Sequence, residues 1–308
     1  MKTPEQIKKE LDDYVIGHDN AKKALSVAGY NHLKRLSGSK IKKSNLLLIG
    51  PTGCGKTYLI SNLAKILNVK YTTSDSTQFT SSGYQGRGVE DIITDLLAVC
   101  DMKEDLAKKA IVYIDEIDKI KSKSVDGNVA DIGGLGVQQA LLKLLEGTEV
   151  PYISKNSANG EYDKKMDTSG MMFIASGAFV GLEEATIQSL TNFGMIPEFL
   201  GRFPLISKLE PLKFSDYRKI LTDSKGSILN SFKEWFESEG IELVIEDSAI
   251  NIIAKKAIDK GLGARGLHSV LEECLVNAQF EAPSLTNKPK AFILDSVVVI
   301  SGNPKWRF

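Results

Sequence analysis

The octapeptide Gly50-Pro51-Thr52-Gly53-Cys54-Gly55-Lys56-Thr57 follows directly on the apolar run Asn45-Leu46-Leu47-Leu48-Ile49, and this pairing leaves few folds open to the chain. A short apolar run ending in glycine suits a parallel strand buried on both faces. The octapeptide matches the phosphate-binding pattern G-x-x-x-x-G-K-[ST]. Its glycines let successive backbone N–H groups turn inward on phosphate oxygens, and the helix that follows presents its positive end. Residues Pro51, Thr52, Gly53, Cys54, Gly55, Lys56 and Thr57 are therefore expected to cradle a nucleoside triphosphate. Lys56 would neutralise the β/γ oxygens and Thr57 would hold Mg²⁺. The Cys54 thiol, beside a positive helix end, has two readings: a thiol of lowered pKa or a tolerated small residue.

Three further apolar runs, residues 70–73, 110–114 and 171–175, recur at intervals too long for hairpins and alternate with helical patterns such as 90–100 and 137–145. Strands alternating with helices predict a mostly parallel sheet covered on both faces. The run Ile111-Val112-Tyr113-Ile114 ends in Asp115-Glu116, which delivers two adjacent carboxylates to the end of a strand. Asp115 would bind Mg²⁺, and Glu116 would orient and deprotonate an attacking water. Near Leu209-Glu210-Pro211-Leu212 the pattern changes. Helices are expected over 215–222, 228–238, 248–260 and 264–280, with strands over 241–245 and 291–299. The fold class is thus α/β, a phosphate-loop domain over residues 1–210 followed by a smaller, mainly helical α+β domain over 211–308.

Composition excludes several function classes. Lys+Arg 39 against Asp+Glu 39 gives a formal net charge of +0, so no global field favours nucleic acid or an anionic membrane. No apolar run reaches the roughly 18 residues of a membrane span, and the charged residues 1–11 lack the core of a signal peptide. A cytoplasmic protein is expected. Cys54, Cys100 and Cys274 are scattered, with no C-x-x-C pair, and read as free thiols.

Beyond the phosphate loop and the Asp-Glu strand, several stretches resemble the AAA+ family, and within it the ClpX protein-unfolding ATPases of the Clp proteases. They are Leu11-Asp12-Asp13-Tyr14-Val15-Ile16-Gly17, Ile114-Asp115-Glu116-Ile117-Asp118-Lys119-Ile120, Gly136-Val137-Gln138-Gln139-Ala140-Leu141-Leu142-Lys143, Ile196-Pro197-Glu198-Phe199-Leu200-Gly201-Arg202 and Gly263-Ala264-Arg265-Gly266-Leu267. The related HslU unfoldases share some of these but carry a large insertion where this chain has only residues 102–109. The resemblance implies that Val15 and Ile16 line an adenine pocket, although a core pair beside a glycine turn reads equally well. It implies that Arg202 is an arginine finger reaching a neighbouring subunit's γ-phosphate; by itself this arginine reads as a surface salt-bridge residue. Arg265 resembles the sensor that couples nucleotide to the angle of the small domain. Ser176 stands near a first sensor position, where its hydroxyl could equally serve a turn. Ser82-Gly83-Tyr84-Gln85-Gly86 resembles the pore loop that grips polypeptide in a hexameric ring, with Gln85 where the family has an apolar residue.

Departures from the family pattern shape the expected partners. The match begins almost at residue 1, so no zinc-binding N-terminal domain is expected. The connection between Phe179 and Met195 contains no Ile-Gly-Phe tripeptide, the family's docking element for the ClpP peptidase. The basic pore-entrance loop is reduced to Ser154-Lys155-Asn156-Ser157, and the second pore loop, within residues 128–134, carries no arginine. The expectation is a self-assembling ring, a hexamer, that unfolds or remodels client polypeptides without ClpP. A nucleotide-switched assembly or scaffold protein is the alternative. A DNA-acting ATPase fits worst, given the neutral balance and the lack of a basic stripe.

Overall fold

The computed structural model describes residues 1–80, 87–122, 132–154, 157 and 161–308. Two compact units emerge: residues 1–11, 18–51 and 56–209 form the first, and residues 12–17, 52–55 and 210–308 the second. Among the described residues no helix is long and apolar enough to cross a membrane.

In chain order the first unit's elements are α1 (Pro4–Tyr14, whose last turn belongs to the second unit), α2 (Asp19–Leu36), β1 (Leu46–Ile49), α3 (Lys56–Leu67), β2 (Tyr71–Asp75), α4 (Asp91–Val99), α5 (Glu104–Ala107), β3 (Ile111–Asp115), α6 (Ile132–Glu146), β4 (Glu149–Tyr152), β5 (Lys164–Asp167), β6 (Met172–Gly177), α7 (Ile187–Phe193), α8 (Pro197–Leu200) and β7 (Leu205–Lys208). Five strands form a parallel sheet in the order β2-β3-β6-β1-β7. Every residue of β1 and β6 is buried, as expected of interior strands with both faces covered. Alternate residues explain how. Leu47, Ile49, Val112, Ile114, Phe173 and Ala175 face one core with Ile92 and Leu96 of α4 and Val137 and Leu141 of α6. The other face is covered by α2, which packs on β1, β7 and α3.

Four of the five strands match the apolar runs of the sequence. The fifth, β7, escaped because Leu205-Ile206-Ser207-Lys208 is short and only half apolar; its pairing with β1 makes it a strand. The antiparallel pair β4–β5 also carried no apolar signal, since Lys164-Lys165-Met166-Asp167 buries only Met166.

The second unit holds α9 (Phe214–Thr222), α10 (Ile228–Ser238), β8 (Glu242–Ile245), α11 (Asp247–Asp259), α12 (Arg265–Glu281), β9 (Ala291–Leu294), α13 (Ser296–Ser301) and β10 (Trp306–Arg307). Its core joins Phe236 and Phe292, stacked with centroids 5.3 Å apart, to Leu267, Leu271 and Leu275. One expectation is corrected here. The predicted strand over 291–299 stops at Leu294, and Val297-Val298-Val299-Ile300 is helical in α13. The Asp295 side chain accepts from the Val298 N–H at 2.9 Å, and Gly302 (φ 72°) closes the other end. Caps at both ends outweigh the weak strand preference of β-branched residues.

Candidate functional site

Sheet register assembles the site. Leu48 is level with Ser176 and Ile49 with Gly177, while Ile114 is level with Ala175, so Asp115 comes beside Ser176. The Gly50 N–H donates to the Gly177 carbonyl at 3.1 Å, which starts the phosphate loop at the end of β6. The loop, the Asp115–Glu116 pair and Ser176 thus meet at the carboxyl edge of the parallel strands, where open α/β sheets bind ligands.

Gly53 and Gly55 adopt φ of +77° and +94°, which residues with a Cβ rarely tolerate. Pro51 is half-buried, Thr52 exposed and Cys54 buried. Thr52 to Gly55 group with the second unit, where the Ala264 N–H donates to the Gly53 carbonyl at 2.8 Å, one residue before Arg265 opens α12. Lys56 is only 9% exposed, and its Nζ donates to the Gly50 and Pro51 carbonyls at 2.7 and 3.0 Å. Among the described residues no carboxylate pairs with it. An ammonium withdrawn from water with only carbonyl partners fits an anionic ligand.

Around Asp115 the polar groups are ordered. Its Oδ1 accepts the Glu116 N–H at 2.9 Å and the Ser176 hydroxyl. The Ser176 Oγ lies 2.7 Å from the Tyr113 hydroxyl. Burial, with the nearby Asp115 charge, pushes the Tyr113 phenol well above its usual range, so it stays protonated. Glu116 stands in the left-handed region (φ 59°) with its side chain exposed and its carbonyl accepting from the Ser76 hydroxyl at 2.9 Å. A non-glycine residue held there stores on the order of 1–3 kcal/mol and is typical of functional positions. Buried Asp118 accepts the Ala178 N–H at 3.1 Å and fixes the end of β6 to the turn after β3. Thr57 with Asp115 offers the hard oxygen donors that Mg²⁺ favours, alongside phosphate oxygens.

The remaining expected residues lie elsewhere. Val15 is buried and Ile16 half-buried, both in the second unit before Gly17 (φ 75°). Arg202 is exposed and paired with Glu146 of its own chain, while its carbonyl accepts from the buried Asn45 amide at 3.1 Å. Arg265 is exposed at the start of α12. Tyr84 and Gln85 lie outside the described residues, as do most of the residues 128–134.

The AAA domain family (Cdc48 subfamily) matches residues 41–206, and the C-terminal, D2-small domain of ClpB protein matches residues 212–288. Over 311 aligned residues the chain is 44% identical to the ATP-dependent Clp protease ATP-binding subunit ClpX 2 of Wolinella succinogenes, covering 91% of this chain and 78% of that relative. The chain belongs to the ClpX family of AAA+ ATPases. ClpX of Bacteroides thetaiotaomicron is 41% identical over 95% of the chain and 80% of its own length, and ClpX of Borrelia duttonii 38% over 99% and 80%. As a ClpX-type AAA+ ATPase, the protein binds nucleotide and hydrolyses ATP. The sequence signals were explicit for Lys56, Thr57, Asp115 and Glu116, ambiguous for Ser176, and silent for Tyr113 and Asp118, whose importance arises from strand pairing.

Proposed function

We propose that this ATPase unfolds or remodels client proteins by drawing polypeptide through the pore of a ring, a hexamer, and that it does so without ClpP. The observation carrying the nucleotide chemistry is the convergence of Lys56, Thr57, Asp115 and Glu116 at one sheet edge, supported by the register of β1, β3 and β6. Bound Mg²⁺ would neutralise charge on the phosphates. Thr57 and Asp115 would hold it, Lys56 would bind the β/γ oxygens, and exposed Glu116 would take the proton of the attacking water. Val15, Ile16 and Arg265 would complete the nucleotide's surroundings. Arg202 would leave Glu146 to serve the neighbouring subunit's nucleotide.

The relatives are named as ATP-binding subunits of Clp protease. Independence from ClpP rests on residues 180–194, which lack Ile-Gly-Phe. There the chain forms α7, opened by a reciprocal Thr186–Ser189 capping box and closed by Gly194 (φ 113°). Phe193 packs on Phe179 with ring centroids 5.1 Å apart.

The decisive measurement uses Glu116→Gln, which should retain ATP while hydrolysing it about 10²-fold or more slowly. Client polypeptides should be trapped on that variant and absent from Lys56→Ala. A Glu116→Gln protein that holds ATP but captures no polypeptide would reject the unfolding reading and leave the ATPase intact.

A further inference from the structure

We propose that Asn45 is a positioning residue for Arg202, fixing the backbone from which that guanidinium reaches a neighbouring subunit's nucleotide. Asn45 is buried and immediately precedes β1, the strand that lies between β6 and β7. Its side chain bridges to both sides. Toward β6, Oδ1 accepts the Phe173 N–H at 3.1 Å. Toward β7, Nδ2 donates to the Arg202 carbonyl at 3.1 Å, just before that strand begins at Leu205. An N–H needs an acceptor and a carbonyl needs a donor, so the carboxamide has one orientation here, and an ionised aspartate could make only the first bond.

The rest of the Arg202 backbone is held as firmly. Its N–H donates to the Phe199 carbonyl at 3.1 Å, and the Phe203 N–H donates to the Leu200 carbonyl at 3.0 Å. Phe199 and Phe203 are both buried, with ring centroids 5.2 Å apart, while the Arg202 side chain stays at the surface on Glu146. An exposed ion pair is weak and can be exchanged for another anion, whereas the buried amide cannot trade its carbonyl for water. A fixed base thus carries a movable charged head. Its place on the sheet is also telling. Asn45 stands where β1 enters, and the phosphate loop leaves the opposite end after Ile49, roughly 16 Å away at the rise of a strand. Removing the amide therefore disturbs the arginine offered to a neighbour and spares the phosphate loop of its own chain.

This inference rests on Arg202 serving a neighbouring subunit, and subunit mixing separates the two ideas. Asn45→Ala removes both hydrogen bonds, while Asn45→Asp keeps the acceptor for Phe173 and removes the donor to Arg202. Either full-length variant should bind ATP within about twofold of the parent affinity and turn it over about 10²-fold more slowly, because the arginine acts in the transition state and small misplacements there are costly. Mixed with Glu116→Gln, which is itself slow but carries a well-placed Arg202, each should regain hydrolysis, since its intact site then faces a sound arginine. Arg202→Ala mixed with Glu116→Gln is the reference. If the reference mixture stays slow, Arg202 serves no neighbour, and the inference falls with that reading. If the reference recovers while the Asn45 variants do not, or if both variants lose ATP binding, Asn45 supports its own chain's sheet and the inference is overturned. Unchanged turnover in both variants would overturn it equally.

Discussion

His32 in α2 is buried, with Nε2 2.9 Å from the Lys109 carbonyl and, among the described residues, no partner for Nδ1. A carbonyl only accepts, so Nε2 carries the proton of the neutral ring. Burial, with the charges of Arg35 and Lys43 beside it, lowers the pKa to about 4. Unfolded, the imidazole gains a proton below about 6.5, so between the two values the unfolded chain binds more protons. His32 therefore contributes stability above pH 6.5 that is lost as pH falls toward 4, about 2 kcal/mol between pH 7.5 and pH 5. Urea titrations at the two pH values should show this loss, and His32→Gln should flatten it. Lys43, whose Nζ donates to the Leu145 and Thr168 carbonyls, is pushed down to about 7 chiefly by burial, so its contribution likewise grows as pH rises above neutral. Neither shift was legible in the sequence, where the lysines at 40, 42 and 43 read as one solvated run. Only packing separates half-buried Lys43 from its exposed neighbours Lys40 and Lys42.

At the scale of elements, α13 depends on one buried carboxylate. Asp295 caps the helix through the Val298 N–H and pairs with Lys305 at 2.5 Å, which with the cap holds its carboxyl below the usual range. Lys256 binds the other end through the Val299 carbonyl at 2.6 Å. Asp295→Ala should lower stability by about 1–2 kcal/mol and speed amide exchange over residues 296–301, as loss of an N-cap does. Unchanged exchange there would show that packing of Val298 and Val299 suffices. The long amphipathic helices of the second unit were readable from spacing, because each buries a stripe at helical period: Ile250, Ile253 and Ala257 in α11, and Leu267, Leu271 and Leu275 in α12. Four consecutive β-branched residues gave no such period in α13. The capping aspartate, not the apolar pattern, decides that element.

For the whole molecule, the proposed threading function makes Tyr84 the test of work and not of chemistry. Tyr84→Ala should leave ATP hydrolysis within about twofold and abolish unfolding of a stably folded, tagged reporter, because an aromatic ring supplies a grip on nearly any side chain. A scaffold would lose nothing. Mixing the chain with a ClpP peptidase should give no ATP-dependent degradation, and robust proteolysis would refute independence from ClpP. The sequence by itself determined that a phosphate loop leaves one buried strand, that an acidic pair ends another, and that a helical segment follows. Those signals are local, carried by glycine torsions, contiguous apolar runs and helical periods. Only tertiary structure decided the strand order that inserts β1 between β6 and β7, the presence of β7, and the alignment of Ser176 with Asp115. Such relations join residues far apart in sequence, 61 positions in the contact of Ser176 with Asp115. They follow from the register of parallel strands packed between helices, which no window of sequence contains.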